Sequence, residues 1–195
     1  MFSKRQSEII EKSIEIIAHK GIQGLTIKNL SKEIGISEPA IYRHFDSKTA
    51  ILVALLSTFE DMADMMNMLM QNSQDTAIEK IEFIFSRMTE VFEETPSLVS
   101  VIFSEEIFKN EKVLLEKITL ILNKNEETIH SIIKMGQEKG EIRTDIYYKN
   151  ISLMFMGSLR LLVKKWDINH YNFSLKEEGK SFIQSLKKII STTPQ

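Results

Sequence analysis

The chain has 195 residues, 43% of them hydrophobic and 27% charged, with a formal net charge of -2 and no cysteine. That length allows one good core or a small module joined to a larger body, and the lack of cysteine excludes a disulfide framework and a thiolate metal site, pointing to a reducing compartment. No uncharged apolar run approaches the roughly 18 residues of a spanning helix, and the start, MFSKRQSE, is too polar for a secretory signal, so a cytoplasmic protein with no membrane partner is expected.

Seven glycines and three prolines among abundant Ile, Leu, Met, Glu and Lys predict an all-α protein. Ser3 to Gln6 has the form of a capping box, and the Ile9, Ile10, Ile14, Ile17 spacing carries a first helix to a C-cap at Gly21. Thr26 caps a short second helix, IKNLSKEI, stopped by Gly35. Ser37 caps a third, with Pro39 tolerated in its first turn. After Asp46 and Ser47, a long fourth helix starts near Lys48 and runs toward Gln71. Further helices are predicted at about 76–94, 97–108, 111–138, 146–166 and 175–191, punctuated by Asp75, Pro96, Gly140, Asp145 and the box of Ser174 and Glu177. No Gly/Pro/Ser linker separates the first 47 residues from the rest, so the fourth helix must join a head, 1–47, to a body, 48–195.

The second and third helices, with a short glycine-containing turn between them, form a helix-turn-helix pattern. At about 100° per residue, Ile41 and Phe45 fall on one side of the third helix, toward Leu30 and Ile34. Pro39, Ala40 and Arg43 fall on the opposite side, with Tyr42 and His44 on the two flanks. A helix in a major groove needs this layout, with base-reading groups in the middle and hydrogen-bond donors where the phosphate strands run. Lys48 adds a cation and helix-start N–H groups for a further phosphate. Glu38 has two readings: it favours the helix N-terminus electrostatically or accepts a hydrogen bond from cytosine N4. Charge agrees weakly, since residues 1–50 hold eight Lys and Arg against six Asp and Glu, and the remainder seventeen against twenty-one.

The stretch GLTIKNLSKEIGISEPAIYRHFDSKTAIL resembles the DNA-binding signature of the tetracycline-repressor (TetR) family of bacterial regulators, most strongly over residues 7 to about 56. That resemblance implies a homodimer, each subunit with a three-helix DNA head and a helical body that binds a small effector. It places Thr26, Tyr42, His44 and Lys48 at phosphate-contacting positions, and Ser37, Pro39, Ala40 and Arg43 opposite the bases. Ser31 stands where the family commonly has alanine, and is small enough to fit between helices.

In the body, the helix at 146–166 is apolar over much more than the roughly 100° a surface helix needs, so it must bury two faces. The last helix has a narrower stripe, within which Gly179 would admit a partner helix at close range. The resemblance implies that these two helices pair with their symmetry mates, and the candidate interface is Met156, Gly157, Arg160, Gly179, Phe182, Leu186 and Ile189. Five of the ten methionines lie between Met62 and Met70. Methionine suits a pocket for apolar ligands of variable shape, and equally fills irregular core gaps. Phe59, Met62, Met66, Phe85, Met88, Phe92 and Phe103 are the candidate lining, with His130 and Arg160 as polar anchors.

The expected function is a ligand-responsive transcriptional regulator, a repressor released from a palindromic operator by a small apolar effector. The alternative is a helical adaptor that binds protein rather than DNA. An enzyme is not expected: the four histidines lack H-x-x-x-H spacing, and no phosphate loop or nucleophile elbow is present. No cofactor is called for.

Overall fold

A computed structural model describes residues 2–103 and 111–192. Among these, nine α-helices follow in order: α1 (Lys4–Gly24), α2 (Ile27–Ile34), α3 (Glu38–Tyr42), α4 (Lys48–Asn72), α5 (Ala77–Glu94), α6 (Ser97–Ile102), α7 (Lys112–Glu138), α8 (Tyr148–Ile168) and α9 (Leu175–Ile190). The described β structure is one isolated bridge, Ile142 to Ser191.

Most helix starts follow their capping chemistry. The Ser3 hydroxyl accepts from the N–H of Gln6, whose side chain returns the bond to Ser3. Thr26 accepts from the N–H of Asn29, Ser47 from Ala50 and Ser174 from Glu177. At α5 the cap is Thr76, one residue after the expected Asp75, and it forms a full box with Glu79. Gly35 ends α2 at φ 76°, ψ 32°, a left-handed conformation that its missing Cβ makes inexpensive.

Four expected boundaries need correction. Gly21 does take a positive φ of 66°, but residues 22–24 add a further helical turn beyond it. Ser37 sits at the N-cap of α3 without its hydroxyl making a cap bond, so only its carbonyl serves the helix. The helix from Ser97 ends at Ile102, where the Phe103 N–H turns back to Val99, and residues 104–108 of the expected helix lie outside the described residues. Finally, α8 starts at Tyr148 rather than 146. Asp145 is held by the Arg143 guanidinium through two bonds of 2.6 and 2.5 Å, which keeps it in the preceding turn.

The chain divides into two compact units, Met1–Met62 with Pro96–Ile121, and Ala63–Thr95 with Leu122–Gln195. The first unit therefore takes in α6 and the start of α7 as well as the predicted head, and its packing does not stop at residue 47. Its core gathers Ile9, Ile17, Leu25, Leu30, Ile41, Phe45, Ile51, Leu55 and Val101. The second core gathers Ile81, Phe85, Ile133, Ile151, Phe155, Ile183, Leu186 and Ile190, with Phe85 stacked on Phe182 at 5.3 Å and edge-on to Phe155 at 5.4 Å. Each such side chain contributes about 1.5–3 kcal/mol by leaving water.

Candidate functional site

The helical part of α3 is only five residues long, yet its projection extends further. The N–H of Arg43 reaches the Pro39 carbonyl at 3.3 Å and that of Phe45 reaches Ile41 at 3.1 Å, so the turn continues helically through Phe45. Ile41 and Phe45 are buried in the first core, against Leu30 of α2. This anchoring forces Ser37, Glu38, Pro39, Tyr42 and Arg43 outward, all exposed, while Ala40 and His44 are half-buried. Tyr42 is 50% exposed despite its aromatic ring, and neither its hydroxyl nor the Arg43 guanidinium has a partner among the described residues. An unpaired phenol and guanidinium on a rigid, core-anchored turn are donors available to a polyanion.

Thr26 is exposed at the start of α2, beside a corner held by polar bonds. Asn29 donates its side-chain amide to the Gly24 carbonyl at 2.8 Å, and Lys20 pairs with Glu33. Lys48 donates its ammonium to the Ile22 carbonyl at 3.1 Å, and burial pushes its pKa below the usual lysine value. The expected phosphate cation thus also ties α4 to the last turn of α1, a contact no local pattern announces. Ser31 is buried and donates to the Lys28 carbonyl at 2.9 Å, which satisfies the hydroxyl that replaces a methyl there.

The candidate effector residues are divided between the units: Phe59, Met62 and Phe103 in the first, Met66, Phe85, Met88, Phe92 and His130 in the second. Phe59 is half-buried on the first core and Met62 is exposed. Phe85 and Phe92 are fully buried, with Met66 and Met88 packed on the second core. His130 lies edge-on to Tyr148 at 5.2 Å, its Nε2 3.5 Å from a Glu126 oxygen without a hydrogen bond. Phe85, ringed by Phe155 and Phe182, is core rather than lining.

The candidate interface also splits. The two-faced character of α8 is clear: Ile151, Phe155, Val163 and Trp166 are buried, whereas Leu153, Leu161 and Ile168 are 71%, 63% and 63% exposed. Gly157 lies open on this outer stripe, Arg160 is exposed, and Ile189 is exposed on α9. By contrast Gly179, Phe182 and Leu186, expected to face a partner, are used within the chain, and Met156 packs on the second core. Leu186 is 2% exposed. The helix that approaches Gly179 is α5, whose Thr89 Cγ2 would lie 2.7 Å from a Cβ there. Leu153 and Leu161 were absent from the candidate interface, although Leu161 flanks the apolar arc and Leu153 lies one turn before Gly157 on the exposed face.

Comparison with known proteins settles what this arrangement belongs to. Residues 9–55 match the model for bacterial regulatory proteins of the tetR family, and residues 57–188 match the C-terminal region of YsiA-like proteins, a TetR-type body. The chain belongs to the TetR family. It is a DNA-binding transcriptional regulator. Among its relatives, it is 23% identical to the fatty acid metabolism regulator protein of Bacillus subtilis over 92% of both chains. It is also 26% identical to the nucleoid occlusion factor SlmA of Vibrio cholerae over 67% of both. The fold matches that of FadR from Bacillus subtilis in complex with stearoyl-CoA (TM-score 0.80, 23% identity, 92% of this chain and 96% of that one). It matches FadR from Bacillus halodurans with a TM-score of 0.84 at 20% identity, 96% of each chain being covered. No helix among the described residues is long and apolar enough to cross a membrane.

Proposed function

We propose that this TetR-family protein is a cytoplasmic homodimeric repressor of fatty-acid metabolism genes, released from a palindromic operator by a long-chain acyl thioester. The observation that carries the effector class is the correspondence, over 92% of both chains, with a Bacillus subtilis regulator of fatty acid metabolism whose structure was determined with stearoyl-CoA. Residues 1–47 act as the DNA head and 48–195 as the effector-binding and dimerisation body. Thr26, Tyr42, His44 and Lys48 hold phosphates, while Ser37, Pro39, Ala40 and Arg43 face the bases, with Glu38 at the helix start. The exposed α8 stripe, Leu153, Gly157 and Leu161 with Ile189 of α9, pairs the subunits. Met66, Met88 and His130 of the second unit contact the effector. The protein works by binding rather than by catalysis.

Selection from random duplex DNA followed by titration with stearoyl-CoA tests this reading. A palindromic site is expected, with affinity falling roughly 5- to 150-fold when the acyl thioester is present, and operator DNA weakening acyl-thioester binding by the same factor. Failure to enrich any duplex sequence would remove the DNA reading. A selected operator whose affinity ignores acyl thioesters of all chain lengths would remove the effector class alone.

A further inference from the structure

Gln6 makes two contacts at once. Its side-chain oxygen accepts from the Ser3 N–H at 3.0 Å, completing the capping box, and its amide nitrogen donates to the His44 main-chain carbonyl at 3.3 Å. The second bond joins the first turn of α1 to the end of the recognition turn, where Tyr42, Arg43 and His44 stand. Lys4 and Arg5 occupy the first two positions of α1. Because side chains in a helix lean toward its N-terminus, Lys4 projects past the helix end, while Arg5 lies along the helix toward Glu8. Both are exposed. Lys4 has no ionic partner among the described residues. Arg5 has only Glu8, at 2.6 Å on the surface, a screened pair that a phosphate can displace by bidentate contact.

The matched DNA-binding segment of the family begins at residue 9, so these positions lie outside it. A duplex seated on α3 runs past both ends of that short helix and carries about one phosphate charge per 1.7 Å of its axis. Cations pinned at one end of α3 therefore meet the phosphate backbone beside the bases that α3 faces. We propose that the first turn of α1 is part of the DNA-binding surface, with Lys4 and Arg5 contacting flanking phosphates and Gln6 as their positioning residue. This rests on the DNA-binding reading above.

Lys4→Gln breaks no contact in the folded chain, so it separates DNA binding from stability, and Lys4→Gln/Arg5→Gln removes both cations. Binding to a site selected with the wild-type protein is measured across salt concentrations, together with thermal unfolding. Each lost phosphate contact should lower the slope of log affinity on log salt by about 0.9, or about 3.6 for the double variant on two half-sites. Over a fourfold rise in salt the wild type should then lose about 150-fold more affinity than the double variant. Gln6→Ala should also lower the slope although both cations remain, whereas Ser3→Ala, which removes the hydroxyl half of the capping box and leaves the Gln6–His44 bond, should not. Wild-type slopes in both cation variants would overturn the phosphate contacts, and a wild-type slope in Gln6→Ala would overturn its positioning role. A wild type that binds no duplex at any salt would overturn this proposal together with the DNA-binding reading, so the two failures are distinguishable.

Discussion

Gly179→Ala offers a direct test of how α9 is held. The added Cβ would stand 2.7 Å from Thr89 Cγ2, 3.0 Å from its Oγ1 and 3.2 Å from its Cβ. Thr89 cannot easily yield: it is fully buried on α5, its hydroxyl donates to the Ser86 carbonyl at 2.8 Å, and its β-branch restricts χ1. Overpacking of this kind costs about 1–3 kcal/mol, while alanine gains about 0.8–1.0 kcal/mol over glycine in a helix interior. The net expectation is a loss of roughly 0–2 kcal/mol, or up to about 8 °C in Tm for a chain of this size. Thr89→Ser sharpens the test, because it removes the Cγ2 methyl that makes the shortest contact. Alone it should cost about 0.8 kcal/mol or more, for one buried methyl. In the Gly179→Ala background it should cost less or stabilise, giving a coupling of about 1 kcal/mol. Urea unfolding followed by fluorescence of Trp166, the single tryptophan and buried in the same unit, reads all four proteins. A stabilised Gly179→Ala with no coupling to Thr89 would refute the close α5–α9 contact.

Tyr42→Phe, which removes one exposed hydroxyl, should weaken selected and random duplexes by equal factors in mobility-shift titrations, because phosphate contacts position without reading sequence. Arg43→Ala should instead relax preference at one base pair of each half-site, at about 1–3 kcal/mol, and an unchanged selected site would show that the base-facing side is misassigned. Leu161→Asp, on the exposed α8 stripe, should give a folded monomer by sedimentation, whereas Leu186→Asp should unfold the chain by burying an unpaired charge. Hydrogen bonds from the Thr76 backbone and hydroxyl hold the Glu79 carboxyl below its usual pKa. Its folded-state pKa is depressed, so the stabilisation is present above the unfolded value and is lost as pH falls through the folded one. Glu79→Gln should flatten the acid limb of Tm against pH, and an unaltered limb would count against the box.

The head was legible in the sequence because its determinants are local. Thr26 and Gly35 set the ends of α2 by side-chain oxygen and left-handed φ, and Ile41 with Phe45 fixed which side of α3 faces out. Hidden from that reading were bonds between residues far apart in the chain, namely Gln6 to His44 and Lys48 to Ile22. Gln6 was visible only as half of a capping box, since S-x-x-Q reports the oxygen end of the amide and leaves its nitrogen unassigned.

The body was legible in its helices and not in its partners, for a reason that periodicity cannot remove. An apolar arc states that a face is covered, without stating whether the cover comes from the same chain or from another copy. On α8 the arc is wide enough for both, and Ile151, Phe155 and Trp166 take the inner side while Leu153, Leu161 and Ile168 are left on the outer one. On α9 the arc is narrow, and α5 already fills it. Glu82 receives bonds from Gln184 and Lys187, Glu93 receives the N–H groups of Leu175 and Lys176, and Thr89 packs against Gly179. In the proposed dimer, a stripe consumed in this way would contribute to association chiefly by holding its exposed flank, Ile189 included, at a fixed angle. The affinity of the proposed dimer should therefore depend on α8 side chains, and its dependence on α9 should pass through the stability of the second core.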